Sequence, residues 1–163
     1  MDTHAMLEIP YQAVDKKEIR NDFGRYINTL NIPVIGYIAI GIQNTTTQQS
    51  YSLKSDGQFQ KIYTELANHD PVRRALWSGN HSFLTFDAVD YHDKMGKMVM
   101  KYREKYGINN GLICIKKDPG YRYILTLATD YTRFDGYRFL LENKEAIEHC
   151  FSDLREIIDV MKG

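Results

Sequence analysis

The sequence predicts an α/β fold, an α-β-α sandwich in which helices cover both faces of a central, mostly antiparallel five-stranded sheet. Segments with apolar residues every three or four positions alternate with runs of branched apolar residues. Short polar breaks join these runs in pairs, as in antiparallel hairpins. The 163 residues show no repeat or long linker, so we expect one domain over 1–163.

The first half of the chain supplies a helix and a hairpin. Apolar residues over 15–30 recur at helical spacing, and the helix is predicted to stop at Asn31-Ile32-Pro33. The branched run over 33–42 and the segment 49–53 predict two strands, because β-branched residues favour extended structure.

The middle of the chain predicts three helices. Residues 59–66 form an apolar helical stripe, and Pro71 is suited to the first position of a short helix that reaches Trp77. A fifth strand is predicted within 81–86. The third helix, over 87–106, is expected to end at Gly107 in a left-handed cap.

The last part of the chain predicts a second hairpin and a long helix. Two strands, over 111–116 and 121–129, flank the turn residues Asp118-Pro119-Gly120. The apolar spacing over 134–161 then predicts one continuous helix.

Composition excludes several function classes. The 21 basic and 21 acidic residues cancel, so the chain lacks the positive field of a nucleic-acid-binding domain. No apolar stretch reaches membrane-spanning length, and no signal peptide is recognisable. Cys114 and Cys150 have no metal-ligand spacing and are expected to be buried free thiols. We expect a soluble protein of a reducing cytoplasm.

Catalytic and cofactor motifs are missing from the sequence. The five histidines show no HExxH spacing, and no GxSxG, P-loop or GxGxxG pattern occurs. The charges over 101–105 and 116–118 are expected to form solvated surface. We therefore predict a non-enzyme with no catalytic residue, metal or cofactor.

Asp70 is the main candidate for a ligand contact. An Asp directly before Pro is typical of a helix N-cap, and spacing alone favours that role. The functional alternative is that its carboxylate faces a cavity and accepts a hydrogen bond from a ligand amide; the two roles are compatible, because one oxygen can serve each. Asp70→Asn keeps the cap but replaces the acceptor-only carboxylate, so we expect it to preserve the melting temperature and to weaken ligand binding at least about tenfold; equal loss of stability and binding would show that the cap is the main role.

Further candidates lie in apolar segments of the sequence, and ordinary core packing is the competing explanation for them. Tyr63 and Phe59 share one face of a helix, and a tyrosine hydroxyl can donate to a ligand carbonyl. Tyr51 is a weaker candidate for the same hydroxyl contact. The remaining candidates are Trp77 and Phe83 as pocket walls, Thr126 as a hydroxyl donor, and Gly111 as a point of close backbone approach.

The order of these residues resembles the autoinducer-binding domain of LuxR-type quorum-sensing regulators. Asp70-Pro71-Val72 follows the helix that carries Tyr63, and Tyr106-Gly107-Ile108-Asn109-Asn110-Gly111 precedes two apolar strands. The resemblance implies an acyl-homoserine lactone held between the sheet and one helical layer. It also implies that Asp70 contacts the ligand amide, that Tyr63 reaches the acyl carbonyl, and that Gly111 matches the family glycine.

Two features depart from that family. Phe59 stands where the family carries a tryptophan whose indole N–H holds the lactone carbonyl, and phenylalanine has no donor. The family's DNA-binding helix-turn-helix unit is absent from this chain, which ends at Gly163. We expect either a sensor domain separated from a longer regulator or a single-domain variant that titrates full-length relatives.

The sequence thus predicts a ligand-sensing domain of a LuxR-family transcription regulator that signals through dimerisation. The expected partners are a small autoinducer-like ligand, an acyl-homoserine lactone or similar amide-bearing amphiphile, and a second copy or related regulator. No membrane contact and no direct nucleic-acid contact is expected. The alternatives are a ligand-independent interaction module and a PAS- or GAF-like sensor of another metabolite.

Overall fold

The computed structural model describes residues 11–30 and 32–161, and within them the chain forms six α-helices and six β-strands. The helices are α1 (Lys17–Thr29), α2 (Gly57–Leu66), α3 (Pro71–Ser78), α4 (Lys94–Lys105), α5 (Gly136–Glu142) and α6 (Lys144–Met161). The strands are β1 (Tyr11–Ala13), β2 (Tyr37–Asn44), β3 (Ser50–Lys54), β4 (Phe83–Thr85), β5 (Asn110–Asp118) and β6 (Tyr121–Thr129).

All six described strands lie in one mixed sheet with the order β1-β3-β2-β6-β5-β4. β1 runs parallel to β3, whereas the other pairs are antiparallel. The prediction of five strands was therefore wrong by one edge strand. Three residues are too few to show an alternating pattern, and the partner of β1 lies far along the chain. The predicted strand within 81–86 is present as β4.

The sheet separates two apolar cores, because successive side chains of a strand point to opposite faces. On β2, Ile38, Ile40 and Ile42 pack against α1, α5 and α6, whereas Tyr37 and Ala39 face α2, α3 and α4. Helices thus cover both faces, and the predicted α-β-α layering is confirmed.

Local hydrogen bonds shift two of the predicted helices. The helix predicted over 87–106 begins only at Lys94, where the Asp93 carboxylate accepts from Gly96 N at 3.0 Å. The single helix predicted over 134–161 is two helices, and Asn143 between them donates from its side chain to Phe139 O at 3.0 Å. An apolar stripe continues across such a break, so periodicity alone does not reveal it.

Other local predictions agree with the structure. Helix α4 is followed by Gly107 at a φ of 73°, the left-handed conformation that favours glycine. Cys114 and Cys150 are buried free thiols, and burial raises the pKa of each to about 12 and about 11, respectively. The stop predicted at Asn31 includes a residue outside the described ranges.

Among residues 11–30 and 32–161, none of the helices has the length and apolar character required to cross a membrane. The same residues contain no cluster of three or more His, Cys, Asp or Glu side chains that could hold a metal ion.

Candidate functional site

Asp70 is the N-cap of helix α3, in the layer that α2, α3 and α4 form on one face of the sheet. Its backbone is extended, Pro71 occupies the first helical turn, and its Oδ1 accepts from Val72 N at 3.0 Å. The predicted N-cap is confirmed. The residue is nevertheless only 1 % exposed. An N-cap at the protein surface would not require such burial.

The burial of Asp70 is explained by a second helix. Arg103 of α4 donates from Nη1 to Oδ1 and from Nη2 to Oδ2, each at 2.6 Å, in a bidentate ion pair. The hydroxyl of Tyr63 also donates to Oδ2. A carboxylate offers about four acceptor positions, and these bonds, with the one from Val72, use all of them. In this arrangement Asp70 has no acceptor left for a ligand amide.

Electrostatics keep this carboxylate ionised. Burial alone would raise the pKa of Asp70, but the Arg103 charge and the bonds from Arg103, Tyr63 and Val72 together hold that pKa below its ordinary value. Burial and the neighbouring carboxylate raise the pKa of Tyr63 well above its ordinary value, so the phenol stays protonated and remains a donor.

A cavity of about 80 Å³ lies beside this cluster, between the sheet and helices α2, α3 and α4. Its polar lining includes Gln43, Lys54, Tyr63, Asp70, Arg73, Arg103 and Thr126. The volume is roughly half that of an engineered cavity of about 150 Å³ that binds benzene. Ligand pockets for drug-sized molecules are larger, about 300–1,000 Å³. In this conformation the cavity fits a few atoms rather than a long acyl chain.

Four of the predicted ligand-site residues line this cavity: Asp70, Tyr63, Thr126 and Tyr51. Thr126 lies on a central strand yet stays partly accessible, since it faces the cavity. Tyr51 contributes to the lining, but its side chain packs against the core on the opposite face of the sheet. The structure thus brings Asp70, Tyr63 and Thr126 together on one side.

Phe59 lies behind the cavity and is not part of its lining. Its ring is fully buried and packs against Tyr37, Tyr63 and Tyr106, with ring centroids 6.0, 5.7 and 5.6 Å away. In this position Phe59 supports the ring of Tyr63.

Trp77, Phe83 and Gly111 also lie outside the cavity lining. Phe83 is 40 % exposed and packs its ring on Tyr137 instead, because β4 is an edge strand and directs this side chain outward. Gly111 permits close backbone packing, since a Cβ there would lie 2.9 Å from Leu127 O and 3.1 Å from Phe86 Cζ. The close approach predicted at Gly111 is made by another chain segment.

Sequence reasoning missed the cations of this cavity. Arg103 belongs to the charged segment 101–105 that was predicted to be solvated surface, and that prediction was wrong for Arg103, which is 6 % exposed. Gly96, Val99 and Arg103 share the buried face of α4. The spacing from Val99 to Arg103 is the signal that places an arginine on the inner face of the helix.

Lys54 is a second buried cation, at the end of β3 and 7 % exposed. Its Nζ lies 4.1 Å from the centroid of the Tyr63 ring. Among the described residues, no carboxylate forms an ion pair with this ammonium group. Burial, followed by the charge of Arg103, lowers the pKa of Lys54 to about 7; Arg73 acts in the same direction and Asp70 opposes it.

Arg73 and Gln43 are two further polar residues of the lining. Arg73 of α3 is buried and donates to Asn68 Oδ1 at 3.0 Å and to Ser50 Oγ at 3.1 Å. Gln43 of β2 is 3 % exposed, and its Oε1 has no hydrogen-bond partner among the described residues. Among the described lining residues there are thus three cations, a single carboxylate and one unused acceptor.

The mixed sheet with helices on both faces and a polar cavity in one helical layer defines the class of fold: that of the autoinducer-binding domains of LuxR-family regulators. No protein-family model and no curated protein sequence matches this chain. The comparison therefore depends on solved structures.

Two proteins illustrate the likeness. CepR2 of Burkholderia cenocepacia, described as an N-acylhomoserine lactone dependent LuxR-family transcription factor, matches with a TM-score of 0.56, 14 % identity, 76 % of this chain and 75 % of its own. Escherichia coli SdiA matches with a TM-score of 0.54, 11 % identity, 88 % of this chain and 63 % of its own. SdiA in complex with octanoyl-rac-glycerol matches with a TM-score of 0.54, 12 % identity, 96 % of this chain and 61 % of that one. At these identities the likeness establishes the fold.

Proposed function

We propose that this chain is a ligand-sensing domain of a LuxR-type transcription regulator, with its ligand bound between the sheet and helices α2, α3 and α4. The observation that carries the proposal is the cavity beside Asp70 and Tyr63, whose walls combine apolar side chains with buried charged groups. Small-molecule sites are typically lined by apolar side chains together with a few polar groups that fix the orientation of the ligand. The fold supports the proposal, since the similar CepR2 is described as lactone-dependent.

The proposed ligand is an acyl-homoserine lactone or a similar amide-bearing amphiphile. Such a ligand reaches Asp70 only if Arg103 or Tyr63 gives up its bond to the carboxylate. A lactone carbonyl would also lack the indole donor that Phe59 replaces, at a cost of about 1–3 kcal/mol, or roughly ten- to a hundredfold in affinity. An amide is not essential for every protein of this fold, since SdiA binds octanoyl-rac-glycerol.

Binding of a long ligand requires the cavity to expand. Helices α2, α3 and α4 form one of its walls, so movement of this layer away from the sheet is the simplest way to enlarge it. Each methylene buried in the enlarged cavity would contribute about 0.8 kcal/mol, so affinity should rise with acyl length.

We also propose that occupancy is transmitted by dimerisation, either with a second copy or with a related regulator. The exposed side of the long helix α6 is the proposed contact. A DNA-binding unit joined to this domain would then respond to the dimer; as a single-domain protein the chain would titrate such regulators instead.

Calorimetry and thermal shift test the sensor proposal. N-butanoyl-, N-hexanoyl- and N-octanoyl-homoserine lactone and octanoyl-glycerol are titrated into the purified chain, and small molecules that copurify are identified by mass spectrometry. We expect at least one compound to bind and to raise the melting temperature. The absence of both a copurified compound and any binding would contradict the proposal.

A second candidate function is a ligand-independent interaction module. It is favoured by the complete hydrogen bonding of Asp70, because a closed ion pair needs no ligand to satisfy it. Unchanged stability and oligomeric state in the presence of every ligand tested, combined with binding to a full-length regulator, would support this function.

A further inference from the structure

We infer that the cavity beside Asp70 binds a small organic carboxylate, whose negative charge pairs with the ammonium group of Lys54. This inference rests on the proposed sensor function and names a ligand class for the same site. It differs from the neutral amide expected from the sequence.

The first argument is the charge balance of the lining. Lys54, Arg73 and Arg103 lie around the cavity, and Asp70 is the single carboxylate among the described lining residues. That carboxylate is held by both terminal nitrogens of Arg103. The ammonium group of Lys54, which has no ion-pair partner among the described residues, is balanced most directly by an anion in the cavity.

The second argument is the setting of Lys54 itself. Lys54 is only 7 % exposed. Burial of a charged ammonium group lowers the stability of the fold by several kcal/mol unless a partner compensates the charge. The face of the Tyr63 ring, 4.1 Å away, is a weak partner compared with a carboxylate. Lys54 lines the cavity, so an anion there would accept hydrogen bonds from the ammonium N–H groups that the ring leaves unused.

The third argument is the unpaired polar side chain of Gln43, which belongs to the same cavity lining. Gln43 Oε1 is buried without a hydrogen-bond partner among the described residues, and Gln43 lines the cavity. Buried polar atoms are almost always paired in native proteins, so the unpaired Gln43 side chain indicates a site built for a polar guest. A carboxylate cannot donate to Gln43 Oε1, but the Gln43 carboxamide turned by half a rotation would present its Nε2 donors to the anion. A core packed only for stability would place apolar groups in both positions.

The size of the cavity selects a small guest. At about 80 Å³ it has room for a carboxylate with a short aliphatic chain in the present conformation. Butyrate is therefore the probe, and butyramide, of nearly the same shape but without charge, is its matched control.

Binding should be linked to the protonation of Lys54. Its pKa is about 7 in the free protein, and a bound carboxylate would raise it, so binding takes up a proton above that pH. The affinity should then fall by up to about tenfold per pH unit above about pH 7. The charged and titratable groups that face the ammonium are Asp70 at the N-cap of α3, Arg73 from α3, Arg103 from α4 and Tyr63 from α2. None of these four changes protonation near pH 7, because the pKa of Tyr63 is raised, that of Asp70 is lowered, and both arginines stay charged.

The experiment is calorimetric titration of the full chain with butyrate and butyramide at about pH 6 and about pH 8.5, in buffers of different ionisation enthalpy. We expect butyrate to bind at least about tenfold more tightly than butyramide at the lower pH, with proton uptake at the higher pH. Lys54→Met should abolish this preference. Lys101→Met, at an exposed position on α4, should retain it.

Two results would overturn the inference: equal affinity for the acid and the amide, or an unchanged preference in Lys54→Met. A parallel titration with N-butanoyl-homoserine lactone separates this failure from failure of the sensor proposal. Binding of the neutral lactone without binding of butyrate overturns the anion inference alone. No binding of butyrate, the lactone or the other compounds overturns both.

Discussion

Replacement of Lys54 by methionine should stabilise the protein, by an amount that depends on pH. Methionine keeps an unbranched apolar stem of similar length and removes the buried amine. Each pKa unit corresponds to about 1.4 kcal/mol, so the fall in the pKa of Lys54 from 10.5 to about 7 corresponds to about 5 kcal/mol of unfavourable charge burial.

The sign of the pH dependence follows from the two pKa values. Below about pH 7 the lysine is charged in the folded and the unfolded chain, so the folded state is destabilised by the full free energy of burying the ammonium charge. Between about pH 7 and 10.5 only the unfolded chain remains protonated, so the cost declines as the pH rises. The advantage of Lys54→Met over the wild type should therefore shrink by about 4 kcal/mol between about pH 6 and about pH 10.

Urea unfolding of the wild type, Lys54→Met and Lys101→Met at a series of pH values measures this difference. The exposed Lys101→Met control should differ from the wild type by less than about 0.5 kcal/mol throughout. A Lys54→Met difference that does not change with pH would refute the reasoning, because it would show that Lys54 is solvated in the folded protein.

Three other substitutions test the hydrogen-bonded cluster and the packing near it by the same urea measurement. Asp70→Asn should lower the free energy of unfolding by about 3–5 kcal/mol, since it leaves Arg103 charged and buried without its counter-ion. This replaces the expectation from the sequence that the substitution preserves the melting temperature. A loss below about 1 kcal/mol would contradict the role of the ion pair. Because the pKa of Asp70 is lowered, the wild-type advantage should be complete above about pH 5 and decline as the pH falls further. Tyr63→Phe should cost about 1.5–3 kcal/mol through loss of a hydrogen bond to a charged group, and an unchanged stability would show that the bond is not formed. Gly111→Ala should cost about 1–3 kcal/mol, because the new methyl group overlaps Leu127 O, and a neutral effect would show that the strand can shift.

The Asp70–Arg103 pair has a consequence for how this fold could sense a ligand. The pair links the start of α3 to the last turn of α4, and Tyr63 adds α2 to the same carboxylate. All three helices of one layer are therefore joined at a single buried charge. A ligand that displaced Arg103 would change the packing of the whole layer, which is a physical route from occupancy to a change in the protein surface.

Several parts of the fold follow from local sequence because their causes are local. Asp70-Pro71 predicts an N-cap, since the carboxylate oxygen and the fixed φ of proline act within three residues. Gly107 predicts a left-handed cap for the same reason. The strands over β2, β5 and β6 follow from branched apolar runs, and the layering follows from the order of helices and strands.

The chemistry of the cavity was decided by tertiary structure alone. Arg103 lies 33 positions after Asp70, and their pairing arises only when α4 packs beside α3. Lys54 and Tyr63 meet in the same way across the layer between the sheet and α2. Burial changes the free energy of a charge by several kcal/mol, and burial depends on which elements pack together. The sequence by itself determined the order of most elements, their local caps and which side chains are available, whereas only the packed layer determined which of those charges lost contact with water.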